Sequence, residues 1–164
     1  MRVVSNTSPL SNLAIIRRLN LLELQFHSVC IAEAISKELN YLQDSNAQRA
    51  LSQARRKGWL VEKPLTGSSF VNVLSGHLDR GEAEAIALAM ETKTDWLLMD
   101  KREGRLVARQ ARLKVTGALG LLLKAKKAGH IESLQDEVRN LRKEARFFIT
   151  QDLEIEILQL AGEA

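Results

Sequence analysis

Short apolar runs recur along the chain and are separated by longer segments of mixed polarity. The segments around these runs have three to five residues each, and β-branched or aromatic side chains are frequent among them. Runs of this length are typical of strands that are buried on both faces. The pattern therefore predicts five strands, at residues 2–5, 28–31, 59–62, 96–100 and 114–116.

The longer segments have apolar residues at helical spacing, and several begin or end with a recognisable signal. Ser8 and Pro9 are typical of an N-cap followed by proline at the first helical position, and Gly58 and Gly129 are expected to stop helices. Residues 66–76 have no clear pattern. The spacing predicts helices over 8–18, 32–41, 45–57, 80–92, 103–111, 119–128, about 134–145 and 152–162.

Strands that alternate with helices are typical of an α/β fold with a parallel sheet covered on both faces. In such sheets, binding and catalytic residues lie at the carboxyl ends of the strands. This rule directs attention to Asn6, where the first strand ends, and to Asp100, where the fourth one ends.

Composition adds three expectations. The chain has 164 residues, of which 45% are hydrophobic and 27% charged, so we expect a single domain over 1–164 with a buried core. It has no apolar run of about 18 residues, so no membrane span is expected. Cys30 is the only cysteine, which excludes an internal disulfide and is typical of a protein of the reducing cytoplasm.

Positive charge is concentrated in one segment. Residues 1–100 carry eleven basic and eleven acidic side chains, whereas residues 101–127 carry nine basic side chains and one acid. A concentrated basic stretch suits the phosphate backbone of a nucleic acid, although it is also compatible with a solvated helix face. The candidate RNA-binding residues are those nearest Asp100: Lys101, Arg102, Arg105 and Arg109.

Four acids are candidates for a site at the carboxyl edge of the predicted sheet. Asp100 follows four apolar residues, Glu38 lies in the helix after the second strand, and Glu82 and Glu84 lie in the first turn of the helix over 80–92. Carboxylates gathered at one sheet edge need a cation, and Mg²⁺ or Mn²⁺ prefers such oxygen ligands. Glu82 and Glu84 are two residues apart and cannot share a helix face, so the pattern does not choose between them. Both are also compatible with first-turn acids that are favoured by the helix dipole.

Other enzyme classes lack their motifs. A haloacid-dehalogenase-like phosphatase would need a second Asp where Ser8 stands, and a receiver domain would need an acidic pair where Ser5 and Asn6 stand. The chain also has no glycine-rich nucleotide loop of the GxxxxGK[ST] type.

The segments VVSNTSPLSNLAIIRRLNLL and LDRGEAEAIALAMETKTDWLLMDKREGRLVARQ resemble the PIN-domain family, specifically a prokaryotic subfamily related to the VapC toxins. VTGALGLLLKAKKAGHI and ITQDLEIEILQLAGE extend the resemblance over nearly the whole chain. The resemblance implies a three-layer α/β/α sandwich with a parallel sheet of four or five strands. It also implies cleavage of RNA with Mg²⁺ or Mn²⁺.

The same resemblance implies roles for individual residues. Glu38, Glu84 and Asp100 match the acids that bind metal and act in catalysis, with Glu82 as the competitor of Glu84. Thr7 and Ser8 match the hydroxylated residues beside the first acid. A cognate antitoxin and a homodimer are implied as partners, and helices over about 131–162 either pack on the domain or form the partner surface.

Asn6 departs from the family pattern, which has Asp at this position in the metal cluster. An amide oxygen can still bind a metal, but it brings no negative charge, so we expect weaker metal binding and reduced cleavage. An engineered inactivation, an inactive homologue and an active variant remain alternatives. The competing function is a non-catalytic PIN-like module that binds RNA or a protein through the basic segment.

Overall fold

The computed structural model describes residues 1–163 and contains one five-stranded sheet. Every pairing in the sheet is parallel, and the strand order is β3-β2-β1-β4-β5. This confirms the predicted α/β fold with a central parallel sheet. Ala164, the last residue of the predicted domain, lies outside the described residues. The strands are β1 (Val3–Ser5), β2 (Val29–Ile31), β3 (Leu60–Glu62), β4 (Trp96–Leu98) and β5 (Val115–Thr116).

Ten helices connect and follow these strands within the described part of the chain. Most lie within a few residues of the predicted positions. They are α1 (Thr7–Ile15), α2 (Asn20–Phe26), α3 (Glu33–Leu39), α4 (Ser45–Lys57), α5 (Ser69–Leu74), α6 (Arg80–Glu91), α7 (Arg102–Gln110), α8 (Ala118–Lys127), α9 (Leu134–Glu144) and α10 (Gln151–Leu160).

Two predicted boundaries were wrong, and one helix lies in a segment for which no element was predicted. The helix predicted over 8–18 ends at Ile15, and α2 follows it after a turn in which Arg17 has a φ of 62°. The segment over 66–76, which had no clear pattern, contains α5. The fourth strand was predicted to reach Asp100, but β4 ends at Leu98, and Asp100 lies in the loop before α7.

The core lies on both faces of the sheet. Consecutive residues of β1, Val3 and Val4, are both buried, and so are Leu97 and Leu98 of β4. Successive strand residues point to opposite faces, so both faces must be covered. α6 packs against β1 and β4, and it is buried continuously from Gly81 to Ala89.

This packing brings four chain segments to the carboxyl edge of the sheet. Asn6 directly follows β1, and its backbone N–H donates to Leu98 O over 2.9 Å, which joins the ends of β1 and β4. α3 packs on α6, so Glu38 lies beside the start of α6. No helix among residues 1–163 is long and apolar enough to cross a membrane.

Candidate functional site at the carboxyl edge of the sheet

Asn6 stands at the centre of this edge. It is only 3% exposed and precedes α1 with an extended backbone, and its side chain does not cap the helix. The extended conformation follows from its position as the N-cap, where the chain leaves β1 and enters a helix. Asn6 therefore presents a neutral amide where the predicted site requires a first acid.

Glu38 lies at the exposed end of α3 and contacts two other elements of the site. The Thr7 hydroxyl, in the first turn of α1, donates to Glu38 Oε2. On the other side, a Cβ at Gly81 would overlap Glu38 Oε1 and lie 3.0 Å from Glu38 Cδ. The absence of a side chain at position 81 thus lets the carboxylate lie against the first turn of α6. Ser8, the second predicted hydroxylated residue, is half-buried beside Thr7.

Asp100 is held in the loop between β4 and α7. Its Oδ1 accepts the backbone N–H of Ala118 over 2.7 Å, at the start of α8, and its Oδ2 accepts the Asn12 side-chain amide over 3.3 Å. Burial raises the pKa of Asp100, while these two donors and the nearby Arg105 lower it, and burial outweighs them. A Cβ at Gly117 would overlap Asp100 Oδ1, so a side chain at position 117 would displace this carboxylate.

The two acids of α6 point to different neighbours. Glu84 accepts the backbone N–H of Ala34 over 3.1 Å, at the start of α3, and the side chain of Arg80 in its own helix over 2.6 Å, so both of its oxygens are engaged. Glu82 instead pairs with Lys101 at 2.8 Å, in the segment after β4. Both acids are buried. Glu82 is therefore the acid of α6 that faces the residues following Asp100.

Lys101 lies between two carboxylates. Its ammonium is 2.7 Å from Asp79 Oδ2 and 2.8 Å from Glu82 Oε1. Hydrogen bonds to both carboxylates raise the pKa of Lys101. Burial and the adjacent Asp79 raise the pKa of Glu82, although Lys101 opposes them. Burial would also raise the pKa of Asp79, but the backbone N–H of Glu82 and the Lys101 ammonium outweigh it and lower that pKa.

Sequence reasoning missed Asp79. Its side chain caps α6 by accepting the backbone N–H of Glu82 over 2.8 Å. An Asp directly before a helical segment is an N-cap signal, so the sequence did contain a sign of this role. Nothing in the pattern indicated that its second oxygen would meet Lys101, because that contact joins residues 22 positions apart.

The predicted RNA-binding residues have unequal roles. Lys101 is engaged by the two acids, and Arg105 is half-buried and donates to Met99 O over 3.0 Å. Arg102 and Arg109 are exposed on α7, whose buried face is formed by Gly104 and Ala108. Two of the four predicted side chains are thus directed to solvent beside the site.

The side chains at the carboxyl edge of the sheet are not arranged to bind a divalent ion. Within residues 1–163, no three acidic, histidine or cysteine side chains are close enough together to hold a metal. The chemistry of the ligands explains this: Asn6 is neutral, Glu84 is turned towards Arg80, and Glu82 already has an ammonium beside it. The carboxylates that remain are Glu38, which accepts from Thr7, and Asp100, which accepts from Asn12.

Comparison with known proteins places the chain in a family. The model of a family described as a PIN domain matches residues 2–163, which is nearly the whole chain. No curated protein and no solved structure matches the chain.

Proposed function

The chain belongs to the PIN-domain family, and on this premise we propose that it binds RNA at the carboxyl edge of its sheet while its capacity for cleavage is strongly reduced. PIN domains are generally nucleases and typically use divalent metals, so the fold is of a nuclease type.

The observation that carries the proposal is the position of the Lys101 ammonium between Asp79 and Glu82, at 2.7 and 2.8 Å. Two neighbouring carboxylates repel each other unless a cation lies between them. Here the Lys101 ammonium is that cation. A metal would have to displace Lys101 from the buried Glu82 carboxylate. The neutral side chain of Asn6 removes a further charge, so the site attracts a divalent ion less strongly.

RNA binding is supported by the basic side chains beside the same edge. Arg102 and Arg109 are exposed on α7, which begins two residues after Asp100. Basic groups spaced along one side of a domain bind phosphates without requiring a metal. This supports binding of an RNA backbone that passes over α7 towards Asp100.

A second candidate is the full activity of a VapC-like toxin, an Mg²⁺- or Mn²⁺-dependent endoribonuclease in the cytoplasm. The observation that favours it is that Glu38, Glu82 and Asp100 all lie at the carboxyl edge of the sheet. In this candidate Glu82, rather than Glu84, is the ligand from α6. A cognate antitoxin would cover the same edge, and a homodimer would use apolar positions of the C-terminal helices such as Ile155 and Leu160, which are exposed.

The test compares binding with cleavage. Fluorescence anisotropy with a labelled single-stranded RNA is measured in EDTA and in Mn²⁺, alongside an RNase assay with the same RNA. We expect equal affinity under both conditions and little cleavage. Binding that requires Mn²⁺, or rapid cleavage by the wild-type chain, would contradict the proposal and support the second candidate.

A pair of double variants locates the binding surface. Replacing Arg102 and Arg109 with Ala removes two exposed cations beside the site, whereas replacing Arg49 and Arg56 with Ala removes two cations from α4. We expect the first variant to weaken RNA binding and to reduce its salt dependence, by a slope of about 0.7 for each lost phosphate contact. The α4 variant should bind like the wild type, and equal losses in both variants would place the RNA elsewhere.

A further inference from the structure

A cavity of about 360 Å³ adjoins Asp100, and Lys101 is not among its lining residues. Its two ends differ in chemistry. The Asp100 carboxylate and the Arg105 guanidinium line one end, together with Thr116. Phe147 and Phe148 line the other, with Leu153 of α10. This lining suits a flat ligand whose faces are apolar and whose edge is polar.

Phe148 is the unusual residue of this cavity. Its side chain is 85% exposed, although burial of an aromatic ring is favourable by a few kcal/mol. The short segment that carries it is held at both ends: Phe147 N donates to Leu141 O over 3.0 Å, and Arg142 donates to Ile149 O over 3.2 Å. The ring is therefore presented to solvent on a fixed turn.

We propose that this cavity binds one unpaired base of the RNA strand, which stacks on Phe148. Aromatic side chains are the usual platforms for unpaired bases, since every base has an apolar face. Arg105 can bind the adjoining phosphate, because its guanidinium has five donors and Met99 O accepts only one of them. The Asp100 carboxylate and the Thr116 hydroxyl can accept hydrogen bonds from the edge of the base. The inference rests on the proposed function, RNA binding at this edge.

The polar end of the cavity favours a nucleotide over a protein segment. An apolar helix or a second copy of the chain would cover Phe148 and Leu153 well, but it would also bury Asp100 and Arg105 without new partners. Burying charged groups without partners is costly. A nucleotide combines a stacking face, hydrogen-bond donors and a negative phosphate, so it complements both ends.

The test measures RNA affinity by anisotropy for the wild-type chain and three variants, Phe148→Ala, Phe148→Trp and Phe70→Ala. Phe70 is a matched control, since it is also an exposed phenylalanine, at 41%, and lies on α5. Loss of one stacked base should weaken binding by roughly tenfold, while Trp retains the affinity and Phe70→Ala leaves it unchanged. An RNA of equal length with abasic nucleotides should bind the wild type and Phe148→Ala equally.

The outcomes separate the two proposals. If the wild type binds RNA but Phe148→Ala binds equally well, the base site is wrong and the proposed function stands. If the wild type does not bind RNA at all, both are overturned. If Phe148→Ala leaves RNA binding unchanged but converts a dimer to a monomer in sedimentation, the ring belongs to an interface between copies and the base site is overturned.

Discussion

The Lys101 ammonium lies 2.8 Å from the buried Glu82 carboxylate, which is contributed by a helix that begins 21 residues earlier in the chain. Lys101 directly follows Asp100, so a positive charge stands next to the acid of the loop between β4 and α7. Glu82 is only 4% exposed and Lys101 is its cationic partner. The pair therefore affects both the stability of the domain and its affinity for metals.

Replacing Lys101 with Ala should destabilise the domain. The substitution leaves Glu82 buried without its cation, and an uncompensated buried polar group costs about 1–3 kcal/mol. The lower end is expected, because the Lys101 side chain is 55% exposed and water can replace part of the interaction. Urea denaturation measures the change. Arg102→Ala, an exposed neighbour, is the control and should lose far less; equal losses would show that the contact with Glu82 contributes little.

Restoring negative charge at the site should restore metal binding. In the double variant Asn6→Asp with Lys101→Gln, one carboxylate is added and the competing ammonium is removed. Because affinity rises with the charge of the ligands, we expect Mn²⁺ to bind on the order of tenfold more tightly or better than to the wild type. Isothermal titration calorimetry measures this directly, and an RNase assay follows the gain in cleavage.

The two single variants serve as controls for that experiment. Asn6→Asp alone keeps Lys101 beside Glu82, and Lys101→Gln alone keeps the neutral amide, so each should gain less than the double variant. If none of the three binds Mn²⁺, the carboxyl edge is not a latent metal site and the assignment of Glu38, Glu82 and Asp100 as its ligands is wrong.

Gly117→Ala should be destabilising, because Gly117 is buried directly beside the Asp100 carboxylate. The new Cβ would overlap Asp100 Oδ1, and it would also lie 3.1 Å from Arg105 Nη1 and 3.3 Å from the backbone Met99 O. Overpacking of this kind costs about 1–3 kcal/mol, because the backbone cannot move away cheaply. Thermal or urea denaturation measures the loss. Gly67→Ala, with no atom within 4 Å of its Cβ, should be close to neutral, and a similar loss there would remove the steric explanation.

Glu163 should make stability depend on pH. Burial would raise its pKa, but the backbone N–H groups of Gln135 and Leu134 and the nearby Lys126 outweigh it, so the pKa is lowered from 4.5. A lowered pKa means that the ionised carboxylate stabilises the fold above about pH 4.5, and that this contribution disappears as the pH falls through the folded-state pKa.

The variant Glu163→Gln isolates this effect. At pH 7 it should be less stable than the wild type by under about 1 kcal/mol, the range for a carboxylate at a helix N-terminus. The difference should shrink as the pH falls below 4.5 and through the lowered pKa of Glu163. The melting temperatures of the wild type and of Glu163→Gln are compared at pH 7 and at pH 3. If the two proteins differ equally at both pH values, the ionised carboxylate does not contribute to stability.

The secondary structure was predictable where the signals were long. The bounds of α4 were predicted correctly, at 45–57. Gly58, which follows it, adopts the left-handed conformation that ends helices. The two missed helices, α2 and α5, have seven and six residues, and such short helices depend on tertiary packing more than on their own sequence. Leu21 and Leu22 of α2 are buried, and it is this burial that stabilises the helix.

The site was predictable only in part. The rule for parallel sheets located Asn6 and Asp100 correctly at the carboxyl edge, because strand direction alone determines which end of a strand reaches it. The rule could not choose between Glu82 and Glu84, since the choice depends on how α6 is rotated on the sheet. Nor could it find the contact between Asp79 and Lys101.

By itself, the sequence determined the parallel α/β fold, the family and the neutral residue at position 6, since these depend on periodicity, motif order and residue identity. Only the tertiary structure decided which acid of α6 faces the site, that Lys101 lies between Asp79 and Glu82, and that Phe148 stands beside Asp100. These relationships join residues from different elements. They depend on the angles at which helices pack on the sheet, and no local pattern specifies those angles.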